Sequence, residues 1–382
     1  MAEVHGTCTP QFAKLRELMK QFIDSGDEIG TSLSVNINGE EVVNLYGGYA
    51  DAAKTRPWTE DTIVGIASST KMFSALAVLM LVDSGEISVT DKVSKYWPEF
   101  GANGKENVEI RHLLSHTSGV PGWDDPMTIG EMCSTAFAAP KLAAQAPWFE
   151  PGSASAYHAW TYGHLLGGVV QRVTGSSLKQ FLVVKIARAL GADIQLGAPE
   201  SDIPRIADSV PTPSTGPPAD FTPGPLFMKA ICNPMPTPDT GKSIAWRTGE
   251  NGSSNGYSNA HAMTTILSAI TLAGKGDNRL LSEKTVDLIF EEQSNGTDLA
   301  IGKPIRFGIG YAIKGDGDWV SSWLPDGKIA YWGGSGGSLS IMDVGRGVTI
   351  AYAMNKRANE LIGNTASRAY VAAIYEALGV KI

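Results

Sequence analysis

An almost wholly apolar run, residues 72–82, most constrains how this chain folds. The run carries no charged side chain, which predicts a helix buried on all sides. Ser68 and Lys71 stand at its start, and residues three apart share one face of a helix. A lysine there is partly desolvated, which favours its neutral, proton-accepting form. The pattern therefore predicts a hydroxyl nucleophile and an amine base facing one space, with backbone N–H groups at the helix start available to an oxyanion.

The Ser-x-x-Lys pattern is weak evidence by itself, because it recurs by chance. A second copy, residues 176–179, follows Thr174-Gly175, which are expected to end a helix. In that copy a serine is expected to cap the next helix and the lysine to lie on a solvated face. The same interpretation remains open for the first copy, as a capping serine and a snorkelling lysine.

Composition excludes several classes of function. The chain has 382 residues, 43% of them hydrophobic and 18% charged, which indicates a large core and about two to three domain equivalents. A net charge of −8 without a basic run argues against binding to nucleic acid or to an anionic membrane. Neither a signal peptide nor a membrane span is predicted. Three distant cysteines argue against a disulfide framework and favour the cytoplasm: Cys8, Cys133 and Cys232.

Strand-like segments lie near both ends of the chain. Residues 31–37 alternate, Asn38-Gly39 is typical of a hairpin turn, and residues 41–46 pair back. Further strands are predicted near the C-terminus, over 328–332, 338–343 and 347–354, and helices over 10–24 and 360–378.

This order of segments predicts an α/β plus all-α fold, in which one sheet is built from both termini and a helical region is inserted. The predicted sheet domain comprises residues 1–75 and 250–382, and the mostly helical domain comprises 76–249. Within the latter, residues 199–238 hold 11 of the 21 prolines. This proline-rich segment is either a surface loop or an ordered flap bordering a substrate cleft.

Two further motifs accompany Ser68. Tyr157 lies on a loop that enters a helix predicted from residue 162, although a lone tyrosine of this kind is more often a packing residue. A glycine-rich stretch, residues 331–338, joins two predicted strands. Its glycines either provide positive φ angles or leave backbone N–H groups open to a substrate.

Taken together and in this order, the three motifs resemble the serine β-lactamase/penicillin-binding-protein superfamily. The resemblance covers most of the chain and is greatest to the esterase branch, the family VIII carboxylesterases, to which the fungal lovastatin side-chain acyltransferase is related. Further matching stretches are residues 110–119, Ala245-Trp246-Arg247, Asn255-Gly256 and 307–311. The resemblance implies a β-lactamase-like fold, a small-molecule ester as substrate, and no cofactor; it leaves the oligomeric state open.

The resemblance also implies roles for individual residues. Ser68 corresponds to the acylated nucleophile and Lys71 to its activating partner. Tyr157 corresponds to a tyrosine held as a phenolate or as a hydrogen-bonded base. The backbone N–H groups of Ser68 and Ser335 correspond to the oxyanion hole.

Two departures bear on specificity. Ala159 stands where the second motif usually has asparagine, and Trp332 stands where the third usually has lysine. The absence of the asparagine removes a group that recognises amides, and the absence of the lysine removes a cation suited to a substrate carboxylate. Both changes favour an uncharged ester as the substrate. The predicted pocket walls are Trp332, Gly333, Gly334, His158, Trp160, Trp123 and Phe227.

We therefore expect hydrolysis of uncharged, bulky carboxylic esters, of which polyketide and statin-type esters are the candidates by analogy. Three alternatives stay open: transfer of the acyl group to an alcohol, a weak β-lactamase side reaction, and an inactive binding protein on the same scaffold.

Two other kinds of site are rejected. Residues 252–256 and 333–337 fit Gly-x-Ser-x-Gly, but the α/β-hydrolase elbow needs an acid and then a histidine downstream, and the last histidine is His261. His112 and His116 have a metal-binding spacing but lack the His-Glu-x-x-His pattern, so we expect structural histidines and no metal.

Overall fold

The structure is a computed structural model that describes residues 3–212, 223–237, 239–276, 280–320 and 322–382. Its centre is a nine-stranded antiparallel sheet to which both ends of the chain contribute. Across the sheet the strands are Val4–Cys8, Glu40–Gly48, Gly30–Ile37, Val348–Met354, Leu339–Asp343, Ile329–Gly333, Ala312–Ile313, Pro304–Phe307 and Ser294–Thr297. The prediction of one sheet built from both termini is confirmed.

A tight hairpin begins the sheet. Gly30–Ile37 and Glu40–Gly48 pair through Asn38 and Gly39, whose φ angles are 52° and 92°. Two successive positive φ angles are typical of the type I′ turn, whose twist matches that of the strands it joins. This explains why Asn-Gly is a reliable hairpin signal here.

Helices cover both faces of the sheet. The hydroxyl of Thr349 lies 2.7 Å from that of Thr271, on the helix Ala260–Thr271. The ring of Tyr352 lies 5.6 Å from that of Tyr370, on the helix Thr365–Ala377. Because side chains at even and odd positions of a strand point to opposite faces, these helices lie on opposite sides of the sheet. The helix Ala13–Ser25 packs beside Thr365–Ala377.

Most of the remaining elements lie between the two groups of strands in the sequence. The other α-helices of the described residues are Thr70–Asp83, Ile110–Leu114, Ile129–Met132, Thr135–Ala144, Tyr162–Thr174, Leu178–Phe181, Arg188–Leu190, Phe227–Ile231, Ile244–Thr248 and Glu283–Ile289. A small sheet joins Val64–Gly65, Gly256–Ser258 and Ile194–Leu196, and Val210–Pro211 pairs in parallel with Lys356–Arg357.

The apolar run forms the helix Thr70–Asp83, which we call the serine helix. Every residue from 70 to 79 is buried, so the prediction of a helix buried on all sides is confirmed. The helix packs against Tyr162–Thr174 and Glu283–Ile289, and Gly85, with a φ of 77°, follows its end. It is the rigid element on which the site is built.

Two helix boundaries differ from the predictions. The first helix begins at Ala13, after a 3₁₀ turn over Pro10–Phe12. The last helix begins at Thr365, because Gly363 has a φ of 64° and the Asn364 side chain caps the helix by accepting the Ser367 N–H.

The second Ser-x-x-Lys copy caps a helix, as predicted. The Ser177 side chain accepts the Gln180 N–H at 3.2 Å. The expectation that Lys179 lies on a solvated face is wrong: it is half-buried and donates to the Thr248 carbonyl at 2.9 Å, which satisfies the end of another helix.

Candidate active site

Ser68 lies in a single 3₁₀ turn, Ala67–Ser69, at the entrance of the serine helix. Ala67 has a φ of 46°, a conformation that is uncommon for a residue with a side chain. The helical spacing brings Lys71 Nζ to 3.4 Å from Ser68 Oγ. Ser68 is half-buried and lines an open cleft, so its hydroxyl is accessible from outside.

Lys71 is buried without an acidic partner among the described residues. Its Nζ donates to the carbonyl oxygens of Ala159, at 2.8 Å, and of Ser253, at 2.9 Å. Burial lowers the pKa of Lys71 well below the ordinary range of lysine, because the cation has lost its hydration. A neutral amine has two N–H bonds and one lone pair. In that form the two N–H bonds can point to the two carbonyl oxygens, which leaves the lone pair for the Ser68 hydroxyl.

Tyr157 is the second group that contacts the Ser68 hydroxyl. Its hydroxyl is hydrogen-bonded to Ser68, and the indole N–H of Trp332 donates to it at 3.3 Å. Burial raises the pKa of Tyr157 and outweighs these hydrogen bonds, which lower it. Of the two states that the resemblance allowed, the resting site therefore favours the hydrogen-bonded phenol over the phenolate.

A histidine that the sequence did not single out for the site packs beside Tyr157. The His116 ring lies 4.9 Å from the Tyr157 ring and 4.6 Å from the Tyr162 ring. Its Nδ1 accepts the backbone N–H of His158 at 3.1 Å. Burial lowers the pKa of His116, so the ring is neutral and serves as packing for the tyrosine.

The glycine-rich stretch forms a turn, residues 333–337, which we call the glycine loop. It lies against the Ser68 turn: a Cβ on Gly334 would lie 2.6 Å from the Ile66 carbonyl oxygen. The N–H groups of Gly334 and Gly336 donate to the carbonyls of Ser338 and Glu360. Within the described part of the chain, the Ser335 N–H has no acceptor. It remains available to a substrate oxygen.

These groups open onto a cleft of about 570 Å³. Four of the predicted wall residues line it: Trp160, Phe227, Trp332 and Gly333. The other large apolar side chains of the lining are Ile206, Ile231, Met235, Trp246, Tyr257, Ile301, Leu361 and Ile362. Among the described residues of the lining there is no acidic side chain, and the basic ones are Lys242, Arg247 and Arg357.

The proline-rich segment contributes part of this wall. Phe227, Ile231 and Met235 come from it, so its described part borders the cleft as an ordered flap would. Residues 213–222 and 238 lie outside the described residues.

Three predicted wall residues do not line the cleft, and those predictions are wrong. Trp123 is buried elsewhere and donates its indole N–H to the Ala138 carbonyl. His158 is buried behind Tyr157, where its ring lies 2.6 Å from the Ser118 hydroxyl, and burial lowers its pKa to about 3. Gly334 packs against the Ser68 turn.

The histidines considered in the rejected motifs have other roles. His261, the last histidine of the chain, lies on the helix Ala260–Thr271 that covers one face of the sheet. Its Nδ1 is 2.6 Å from a carboxylate oxygen of Glu41. His112 closes a capping box at the start of the helix Ile110–Leu114. Among the described residues no group of three potential metal ligands comes together.

Three residues with clear contacts to the site were not predicted: Ser253, His116 and Asp298. Ser253 supplies a carbonyl to Lys71, and Asp298 accepts the backbone N–H of Tyr157 at 3.0 Å. These contacts join segments that are distant in the sequence, and no local pattern indicates them. Separately, no helix in the described ranges is both long and apolar enough to cross a membrane.

Comparisons with known proteins match most of the chain. The family model described as "Beta-lactamase" matches residues 15–373. The "Esterase/beta-lactamase LipL" of Mycobacterium tuberculosis is 28% identical over 375 residues, which cover 94% of this chain and 84% of that protein.

Two solved structures match almost the whole chain. A family VIII carboxylesterase is 32% identical, with a TM-score of 0.90 over 98% of this chain and 100% of that one. A penicillin-binding protein homologue from Caulobacter crescentus is 33% identical, with the same TM-score and coverage. The shared fold therefore extends over the sheet, the serine helix and the glycine loop.

Proposed function

The chain belongs to the beta-lactamase family, and on that basis we propose that it is a serine carboxylesterase that forms an acyl-enzyme on Ser68. The names of its relatives, an esterase and a family VIII carboxylesterase, support ester hydrolysis. One observation carries the proposal: a buried amine that donates to two carbonyl oxygens lies 3.4 Å from a hydroxyl that a buried phenol also contacts.

In the first half of the reaction, Ser68 attacks the ester carbonyl carbon and gives its proton to the lone pair of Lys71. The N–H groups of Ser68 and Ser335 hold the oxyanion that forms. The bond from carbon to the alkoxy oxygen then breaks, and the Tyr157 phenol gives its proton to the leaving alcohol. Lys71 is then an ammonium and Tyr157 a phenolate, which the Trp332 N–H stabilises.

In the second half, the phenolate takes a proton from a water molecule as the water oxygen attacks the acyl carbon. The bond to Ser68 breaks, and the Lys71 ammonium returns its proton to Ser68 Oγ. The acid is released, and both groups regain their resting protonation states.

The cleft supports a substrate with large apolar parts. Its walls are mostly aromatic and aliphatic, with Lys242, Arg247 and Arg357 as the basic residues of the described lining, and Trp332 stands where a lysine would bind a carboxylate. We therefore keep bulky, uncharged carboxylic esters as the proposed substrates, with polyketide and statin-type esters as the first candidates. The cytoplasmic location and the two-domain division stay predictions.

The proposal is tested with p-nitrophenyl butyrate and a fluorophosphonate probe. Ser68→Ala is expected to lose turnover and labelling, because the nucleophile is gone. Ser176→Ala changes the matching position of the second Ser-x-x-Lys copy and is expected to retain both. Wild-type-like turnover in Ser68→Ala would contradict the proposal.

The same assay separates the alternatives. An ester product formed with added alcohol would identify acyl transfer, and turnover of a β-lactam would reveal the side reaction. A wild-type protein that neither hydrolyses esters nor takes up the probe would be an inactive binding protein.

A further inference from the structure

Asp298 is a buried carboxylate with no basic partner among the described residues. It lies in the connection between the strands Ser294–Thr297 and Pro304–Phe307, and none of it is exposed. One carboxylate oxygen, Oδ1, accepts three backbone N–H groups: those of Ala300 and Ile301 at 2.9 Å and that of Tyr157 at 3.0 Å. Burying a carboxylate costs free energy, and these three hydrogen bonds offset part of that cost.

We propose that Asp298 is a positioning residue for ester cleavage, which fixes Tyr157 and the adjoining cleft wall relative to Ser68. This inference rests on the proposed function, because Tyr157 is the proton donor of that mechanism. Three features support it: the attachment of Tyr157, the attachment of the wall, and the effect of the charge.

The Tyr157 segment is attached at two points. Besides the Asp298 bond to Tyr157, the Leu299 N–H donates to the Ser155 carbonyl at 2.8 Å. Two bonds, to residues 155 and 157, hold the segment against residues 298 and 299. Removal of the Asp298 side chain breaks one of them directly and frees the turn that provides the other.

The same turn is connected to the cleft wall. The Leu226 N–H donates to the Leu299 carbonyl at 2.9 Å, and the helix Phe227–Ile231 follows directly. Ile301, held by Asp298, itself lines the cleft together with Phe227. The turn therefore lies between the proton donor and the substrate wall, and a displacement of it would move both.

The charge of Asp298 has an effect separate from that of its hydrogen bonds. Burial raises the pKa of Asp298, and its ionised form adds to the effect of burial in raising the pKa of Tyr157. An asparagine at this position keeps an oxygen acceptor of nearly the same shape but removes the charge. Asparagine is therefore the conservative variant, and alanine removes both effects.

The test uses two butyrate esters with different leaving groups. p-Nitrophenolate leaves without a proton, whereas ethoxide needs one from Tyr157. A misplaced Tyr157 therefore slows ethyl butyrate more than p-nitrophenyl butyrate, and kcat/KM reports the acylation step in which the alcohol leaves. A purely structural loss lowers both values by the same factor.

The measured quantity is the ester ratio, which is kcat/KM for ethyl butyrate divided by kcat/KM for p-nitrophenyl butyrate. We expect Asp298→Ala to lower this ratio about tenfold or more. Asp298→Asn should restore most of that ratio. The matched control is Asp343→Asn, which neutralises another fully buried carboxylate, one that accepts from Arg346 and Tyr375 at the end of the strand Leu339–Asp343. The control should lower the melting temperature and leave the ratio unchanged.

An Asp298→Ala variant whose ratio equals that of the wild type and of Asp343→Asn would overturn the inference. A second readout does not depend on turnover: the 13Cζ resonance of Tyr157, assigned by its absence in Tyr157→Phe. It should shift in Asp298→Ala and stay in place in Asp343→Asn. If the wild type hydrolyses neither ester, the proposed function fails, and this resonance alone decides whether Asp298 positions the tyrosine.

Discussion

At the scale of single residues, the proposed mechanism activates Ser68 with a lysine that has no acidic partner among the described residues. Lys71 donates to two carbonyl oxygens instead of to a carboxylate, and these oxygens hold the amine in place without supplying a negative charge that would keep it protonated. Tyr157, whose pKa burial raises, keeps its proton at rest. In the proposed resting state, one neutral base and one neutral acid thus share the Ser68 hydroxyl.

Trp332 supports the tyrosine through its indole N–H, and Trp332→Phe tests that contact. Phenylalanine keeps an aromatic ring beside Tyr157 but cannot donate to the phenolate. The transition state should lose about 1 kcal/mol of stabilisation, so kcat/KM for ethyl butyrate should fall roughly fivefold. The control is Trp246→Phe, since Trp246 lines the cleft next to Trp160 and has no contact with Tyr157 among the described residues. Equal losses in the two variants would show that the N–H is not important.

At the scale of elements, close backbone approach holds the glycine loop against the Ser68 turn. Gly334 has no room for a side chain: a Cβ would lie 2.4 Å from Ser338 Oγ and 2.6 Å from the Ile66 carbonyl oxygen. The Ser338 hydroxyl donates to that same carbonyl at 2.7 Å. The distance between the two proposed oxyanion donors thus depends on a glycine.

Gly334→Ala should therefore damage both stability and catalysis. Overpacking of this kind costs about 1–3 kcal/mol of unfolding free energy, measurable by urea denaturation. The loop should also move away from Ser68 and lower kcat about a hundredfold. Gly130→Ala is the control, because a Cβ there meets no atom within 4 Å. A Gly334→Ala enzyme with normal turnover would contradict this account of the oxyanion hole.

Local patterns predict some of these elements and not others. The buried serine helix and the Asn38-Gly39 hairpin have strong local signals, namely a charge-free run and a turn sequence. The edge strand Val4–Cys8 and the strand Ser294–Thr297 are short, mostly polar and without alternation, so nothing local distinguishes them from loops. The contacts of Asp298 and Ser253 are tertiary and follow only from the assembled fold.

At the scale of the whole molecule, the sheet brings together parts of the site that are far apart in the sequence. The pairing of Gly30–Ile37 with Val348–Met354 joins the two ends of the chain. The glycine loop precedes the strand Leu339–Asp343, which pairs with Val348–Met354. The pairing of the two chain ends thereby brings this loop to the serine helix, which follows the first hairpin in the sequence. Because the site exists only in the assembled fold, the protonation of a site residue should affect the stability of that fold.

Lys71 links that stability to pH. Its folded pKa lies below the unfolded value of about 10.4, so between the two values the unfolded chain binds more protons and stability rises with pH. The free energy of unfolding of the wild type, minus that of Lys71→Met, should therefore increase by up to about 1.4 kcal/mol per pH unit in this window. Urea denaturation from pH 6 to 9 measures this difference in unfolding free energy. Methionine also cannot make the two hydrogen bonds to carbonyl oxygens, and their loss adds an offset that does not change with pH. A flat difference would mean that Lys71 titrates normally.

The central claim, that Lys71 is the neutral base for Ser68, is tested most directly by titrating the lysine itself. In protein labelled with 13Cε-lysine, the Lys71 resonance is assigned by its absence in Lys71→Met and followed against pH. We predict a titration midpoint well below the ordinary lysine value of about 10.4, with the neutral form present at the pH where the esterase is active. A Lys71 resonance that stays that of an ammonium up to its ordinary pKa would contradict the account.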